Sequence, residues 1–467
     1  MFKRTCLSIL MIIILSVVGY SNARAQDEQN GPYYIVQEGD SLWQIAARFG
    51  IAVEDLMKEN NISDASQLNV GARLTIPGLQ GVDGQLTTIT VAYGDTFRSL
   101  SRYYDVSGEV LARLNHLVSP SELYSGYGLI LPIKENQIPI SVVRINPAKG
   151  SSLLELAVLH GENVWALTLE NKLAGTWSGL PGDVVQVVGD SSETIAPVGL
   201  PEIVTRVEVT PVSMRQGETA VIKVSAPPGI SMSGSLGERV LYFFPQGNDY
   251  VSLQGIHALT TSGLYPLALQ GKLPNGESFA FTQNILVLSV DFAYDPSLTV
   301  DPITIDPAVT GPENELWASL GANATPEKLW DGMFSSPVPA EFTKCWPSLF
   351  GNRRSYNGSS YDFFHGGLDF CGTVGTELYA SATGRVVYTG LLTVRGNVVV
   401  IDHGWGVYTA YDHLSKILTQ VGDLVQPGQL IGLGGATGRT TGPHLHWEVW
   451  VGGVQVNPAV WLEKSYP

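Results

Sequence analysis

Five of the chain's eight histidines lie in one window: His365, His403, His413, His444 and His446. The window opens with His365-Gly366-Gly367-Leu368-Asp369-Phe370, passes through Tyr411-Asp412-His413-Leu414 and closes with Gly442-Pro443-His444-Leu445-His446-Trp447-Glu448. Histidine and carboxylate supply most ligands of catalytic zinc. Two histidines and one aspartate around a metal, with the fourth position left to water, make a hydrolytic rather than a structural donor set. Structural zinc favours closed, cysteine-rich sets, and only Cys345 and Cys371 lie beyond the first 25 residues.

These residues need elements that bring them together. The run from His444 through Trp447-Glu448-Val449-Trp450-Val451 is aromatic and β-branched, which predicts a strand. Residues i and i+2 of a strand share a face, so both imidazoles project together while Leu445 turns into the core. At the other end, Gly366 and Gly367 allow a tight backbone path on which His365 and Asp369 can converge. His403, in Ile401-Asp402-His403-Gly404, is placed at a hairpin turn rather than at the metal.

Singly, each fragment is a weak signal, because H-x-H is common on the wet face of ordinary strands. The ordered set is specific. It resembles the LytM/lysostaphin-like zinc metallopeptidases, the M23 family of peptidoglycan endopeptidases, over residues 336–463. The resemblance extends to Phe350-Gly351-Asn352-Arg353-Arg354, Gly396-Asn397, Gly428-Gln429 and Val456-Asn457-Pro458. It implies one Zn2+ held by His365, Asp369 and His446, with His413 and His444 as catalytic histidines beside it. Zinc lowers the pKa of water and polarises a carbonyl, while a positioned imidazole moves protons or steadies an oxyanion. Which of the two histidines does which job stays open. Some relatives place a tyrosine near the first ligand, and Tyr356 and Tyr361 are the candidates here. Some are kept latent by an upstream segment that covers the zinc.

At 467 residues the chain holds several domains of about 100–200 residues each. Its start reads as a signal peptide over residues 1–25: Lys3 and Arg4 are basic, residues 7–18 are apolar, and Ala23-Arg24-Ala25 forms a cleavage site. The apolar core is shorter than the about 20 residues a membrane span needs, and no later stretch is long enough. A secreted, extracytoplasmic protein without a transmembrane span after cleavage is expected. Removing Lys3, Arg4 and Arg24 leaves 24 basic against 43 acidic residues, a balance of −19. That surface disfavours nucleic acid and anionic lipid. In an oxidising compartment Cys345 and Cys371 either pair as a disulfide or stay free, and sequence does not fix which.

A pattern recurs three times before the middle of the chain. Gly39, Gly94 and Gly150 are followed at +21 by Asn60, Asn115 and Asn171, and at +32 by Gly71, Gly126 and Gly182. Apolar residues at +3, +6 and +17 repeat with them, as one supersecondary unit used three times would require. Asp40-Ser41 and Asp95-Thr96 are expected N-caps, and the predicted order is βααβ. The units at 32–78 and 87–133 resemble LysM domains, which implies binding of N-acetylglucosamine glycans such as peptidoglycan. The third, 140–189, is degenerate: Ser151 replaces the aspartate, and Trp165 and Trp177 are added. The asparagines are assigned to helix ends rather than to sugar contact.

Residues 200–295 alternate strand-like runs with turn signals, which predicts an immunoglobulin-like β-sandwich. His257 stands alone there. A linker follows over 296–335, with a short helix at 313–320 started after Pro312. The whole reads as a multidomain, mainly β protein: small α+β LysM repeats, a sandwich, and a C-terminal antiparallel-β peptidase domain. The expected activity is zinc-dependent cleavage of peptidoglycan peptides at the bacterial cell wall. The alternative from another class is a non-enzymatic wall-binding regulator of other murein hydrolases, a role that goes with lost metal ligands.

Overall fold

The computed structural model describes residues 31–467 apart from short stretches, the longest being 134–141, 146–151, 178–184 and 189–202. The expected leader lies outside the described residues. Among the described residues no helix is long and apolar enough to cross a membrane. The chain forms two compact units, one of residues up to 89 with 109–116 and 130–139, and one of the remainder.

In the first unit the strand Pro32–Ile35, the helices Leu42–Phe49 and Val53–Glu59 and the strand Arg73–Thr75 follow the βααβ order. Ser41 caps the first helix in a reciprocal box with Gln44, and Leu42, Ile45, Ala46 and Phe49 form its buried stripe. Asp40 instead accepts from the Tyr34 hydroxyl and the Gln37 N–H. The Asn60 amide donates to Leu56 O and Thr75 O while its oxygen accepts from Thr75 N. Asn115 does the same with Leu111 and Ile130. In the second unit Asn171 does it with Leu167 and Gln186. Each asparagine therefore closes a helix end and ties it to the last strand of its repeat. The side chain is occupied by backbone groups, in keeping with the helix-end assignment.

Residues 206–288, in the second unit, form two sheets. One has five strands, including Ser231–Leu236, Gly263–Lys272 and Ser278–Leu288; the other has four, including Arg206–Thr210, Thr219–Ser225 and Asp249–Gly255. Val207, Ile222 and Val224 of one sheet meet Leu236, Leu267 and Ile285 of the other in a single core.

The C-terminal sheet of the same unit has its central strands in the order Leu368–Cys371, His444–Val451, Val407–Leu414, Gly396–Gly404, Gly384–Leu392. Alternation divides its residues cleanly. Leu445, Trp447, Val449 and Val451 join Phe370, Val399, Ile401 and Tyr411 in one core. Val398, Val400, Tyr408 and Ala410 face the opposite way, against Trp317. Trp317 belongs to the segment read as a linker. Its helix runs Pro307–Gly321, with Pro312 inside it, so the expected start after Pro312 is corrected. Pro307 suits a first turn, where its missing N–H is not needed, and the Asp306 carboxylate accepts from Ala308 N. Pro312 removes one interior hydrogen bond, and burial of Glu313 and Trp317 against the sheet holds the helix regardless.

Candidate metal centre

Strand register builds the site. Asp369 lies directly opposite His446, and Asp412 lies opposite His446 on its other side, so the three side chains form one row across three strands. His365 reaches the row from the turn before its strand. A Cβ on Gly367 would come within 2.5 Å of Trp447 O and 2.8 Å of the His446 ring, so only glycine lets the chain pass this close.

His365 Nε2 lies 2.9 Å from Asp369 Oδ1 and 2.9 Å from His446 Nδ1, and His446 Nδ1 lies 2.8 Å from Asp369 Oδ1. Three lone-pair atoms thus converge on one point. The far side of each imidazole is engaged: His365 Nδ1 donates to Leu349 O at 2.8 Å and His446 Nε2 to Glu448 Oε1 at 3.2 Å. Those bonds set the tautomers that leave Nε2 of His365 and Nδ1 of His446 as donors to an ion. Arg354 pairs with Asp369 Oδ2 at 3.3 Å and with Asp295 at 3.3 Å, which leaves Oδ1 to the cluster.

The electrostatics favour a cation. Burial acts to raise the Asp369 pKa, but His365 and His446 hold it well below the carboxylate range. Burial acts to lower that of His446, yet its hydrogen bonds to Asp369 and Glu448 raise it to about 10. A pocket that binds a proton this firmly between carboxylates also suits a metal ion, which takes the proton's place. The set of two imidazoles and one carboxylate fits zinc with a position to spare. A second grouping, Asp412, His446 and Glu448, surrounds the other imidazole nitrogen. There the Glu448 oxygens already accept from His446, Gln455, Trp317 and Trp450. Asp412 has no such donors, and burial, then the Glu448 charge, push its pKa up to about 8.

His413 and His444 stand beside this cluster, their ring centroids 4.9 Å apart. His444 Nε2 is 3.6 Å from Asp369 Oδ1. Each histidine spends Nδ1 on a backbone carbonyl, Thr437 O for His413 and Gly442 O for His444, both at 2.8 Å, so each keeps Nε2 for chemistry. His413 has φ +66°, and a bulge separates it from the regular register with the strand Gly396–Gly404. That irregularity lets Asp412 and His413, adjacent in sequence, line the same cavity. Burial, then the neighbouring His444 and His446, lower the His413 pKa to about 3 and keep the ring neutral.

All five histidine and aspartate candidates, His365, Asp369, His413, His444 and His446, line one cavity of about 530 Å³. His403 does not. It is fully buried near the turn after its strand, bonded to Thr383 O and Thr409 Oγ1. Tyr356 lines the cavity beneath Arg439, whereas the Tyr361 hydroxyl donates to Asp295 O. Cys345 and Cys371 are joined as a disulfide. Sequence reading gave no role to Glu448, although its i+2 spacing from His446 placed it on the ligand face. Asp295 and Trp317 also surround the site, and no local pattern marks them; Arg354 lies in the resembling stretch Phe350–Arg354, where sequence reading gives it no role.

The family model "Peptidase family M23" matches residues 363–458, and the LysM domain model matches 34–77 and 89–132. The peptidoglycan DD-endopeptidase ShyA of Vibrio cholerae is 53% identical over 93 residues, covering 20% of this chain and 22% of that protein. The DD-carboxypeptidase/endopeptidase Mpg of Neisseria meningitidis is 45% identical over 94 residues, covering 20% and 22%. Among solved structures, lysostaphin from Staphylococcus simulans is 28% identical, covering 28% of this chain and 53% of that chain, with a TM-score of 0.24. The chain spans about a fifth of the length of the curated relatives it matches. Residues 363–458 thus match peptidase family M23, and residues 34–77 and 89–132 match the LysM domain.

Proposed function

We propose that the protein is a secreted zinc endopeptidase that cleaves the peptide part of peptidoglycan, held at the wall by its LysM domains. The observation that carries this reading is the convergence of His365, Asp369 and His446 on one point, with two further imidazoles beside it. His365, Asp369 and His446 hold the ion. When bound, zinc supplies Lewis-acid polarisation of the scissile carbonyl and activation of water. His413 and His444 present Nε2 to the cavity, and between them they take a proton from the attacking water and return one to the departing amine. Arg354 fixes Asp369 so that one oxygen stays on the ion.

The names of the Vibrio cholerae and Neisseria relatives direct the first choice of substrate to the D,D cross-link. Binding to N-acetylglucosamine glycan through residues 34–77 and 89–132 raises the local concentration of peptide around the active site. Residues 200–295 serve as an immunoglobulin-like spacer against which the peptidase domain is seated. The retained donors favour an enzyme over a wall-binding regulator. The test is digestion of purified walls of several cross-link types, with mass analysis of the fragments and His365→Ala as control. New amine and carboxyl termini at a cross-link, absent with the variant, are expected. Intact walls of every type after zinc loading would overturn the reading.

A further inference from the structure

The helix Pro307–Gly321 is joined to the metal centre by a chain of hydrogen bonds. Trp317, 4% exposed, donates its indole N–H to Glu448 Oε2 at 2.8 Å. Glu448 Oε1 in turn accepts from His446 Nε2 at 3.2 Å. His446 can offer Nδ1 to an ion only while its proton sits on Nε2 and its ring is held at one angle, and Glu448 sets both. A buried glutamate side chain has three torsions to fix and two oxygens to satisfy. Of its four donors, Gln455 and Trp450 come from the same hairpin as Glu448 and sit opposite each other in its register. Trp317 comes from a separate element, 131 residues away in sequence.

The helix is itself fixed independently of that bond. Glu313 accepts from Val394 N at 3.0 Å and pairs with Arg395 at 3.5 Å. The Arg395 guanidinium lies 4.3 Å from the Trp317 ring centre, and Tyr388 packs on the ring's edge at 6.2 Å. The indole is therefore clamped, and its N–H points at the carboxylate as a fixed donor.

We propose that Trp317 is a positioning residue for the metal centre, acting through Glu448 on the ligand His446. The helix read as a linker is then a working part of the peptidase domain. The inference rests on the metal reading of the site and goes beyond it, because it assigns part of the ion's affinity to a residue upstream of the matched family segment. Losing an outer partner of a metal-bound histidine lowers affinity by about 10–100-fold. Trp450 still holds Oε2 when Trp317 is replaced, so Trp317→Phe belongs near the lower end, at about tenfold.

The test measures zinc affinity of the full chain by chelator competition, together with the visible spectrum of the cobalt-substituted protein. Trp317→Phe is expected to weaken zinc about tenfold and to alter the cobalt bands. Val400→Ala is the packing control, since Val400 lies in the same apolar cluster and its strand is separated from that of Glu448 by the strand Val407–Leu414. It is expected to lower the melting temperature and leave both metal readouts at wild-type values. If Trp317→Phe does not fold, Glu448→Gln carries the test and is expected to lose at least tenfold in affinity. Wild-type zinc affinity in Trp317→Phe, or in Glu448→Gln where that variant stands in, overturns the inference and leaves the metal reading intact. A wild-type chain that takes up no zinc overturns both.

Discussion

His413 depends on a backbone conformation that most side chains avoid. Its positive φ turns the imidazole into the cavity beside Asp412, and regular alternation would have sent the two to opposite faces. Burial and the neighbouring His444 and His446 keep the ring neutral, and it stands outside the converging set of His365, Asp369 and His446, so the proposed mechanism gives it a proton to pass rather than the ion to hold. His413→Ala should therefore lower the rate of wall digestion by about 10²–10⁴-fold with zinc content unchanged, whereas His365→Ala should lose the zinc. Metal analysis beside a digestion assay separates the two outcomes. His403 illustrates a different use of the same residue type. Burial lowers its pKa to about 4, below the about 6.5 of an unfolded histidine. The unfolded chain then binds a proton between those values that the folded chain refuses. Stability from this group is complete above pH 6.5 and is lost as pH falls to about 4, by about 3 kcal/mol. His403→Gln should remove that part of the acid sensitivity. Urea titrations of both proteins at pH 7.5 and 4.5 measure it as a smaller difference in the variant.

The helix Pro307–Gly321 bears on the role of the segment before the peptidase core. A covering segment would hold the enzyme back, and its removal would speed digestion. The contacts of Glu313 with Val394 and of Trp317 with Glu448 tie the segment to the sheet, while Ile305, Thr310 and Asn314 line the cavity. If these contacts support the site, Glu313→Ala in the full chain should digest walls more slowly than wild type and bind zinc more weakly. Faster digestion by the variant would favour latency. Sequence patterns were informative wherever the relevant contacts are local. Alternation placed His444 and His446 on one face and Leu445 in the core, and the spacing of Asn60, Asn115 and Asn171 marked helix ends. Long-range contacts left no such mark. The Trp317 and Asp295 contacts span 131 and 53 residues, and Pro312 reads as a helix breaker because its compensation is tertiary. The bulge at His413 depends on pairing with a strand whose register no single sequence prints.

Within the second unit the two sheets of residues 206–288 and the C-terminal sheet share apolar contacts. Val221, Phe244, Val251 and Leu253 belong to the same core as Leu368, Trp447 and Trp461. Phe244 stacks on Trp405 with centroids 5.3 Å apart and planes 7° off parallel, and Trp461 donates to Thr219 Oγ1 at 3.2 Å. Such a contact leaves little room for a hinge. Gly255 marks a close approach, since a Cβ there would lie 2.7 Å from Val456 Cγ1 and 2.9 Å from Val454 Cβ. Gly255→Val should destabilise both parts together by about 1–3 kcal/mol. One unfolding transition, shifted as a whole, is expected by tryptophan fluorescence and by circular dichroism. Two separated transitions would show that the parts are independent.

The Cys345–Cys371 bond closes a ring of chain that contains His365 and Asp369, while His446 lies outside it. Cys371 N also bonds Cys345 O, and Asp369 N bonds Ser348 O, so the ring is stitched flat against the ligand strand. Two of the three donors, His365 and Asp369, are thereby tethered within one closed loop beside the strand that carries the third. Reducing the bond should therefore weaken the hold on zinc even with His446 in place, which chelator competition with and without reductant measures.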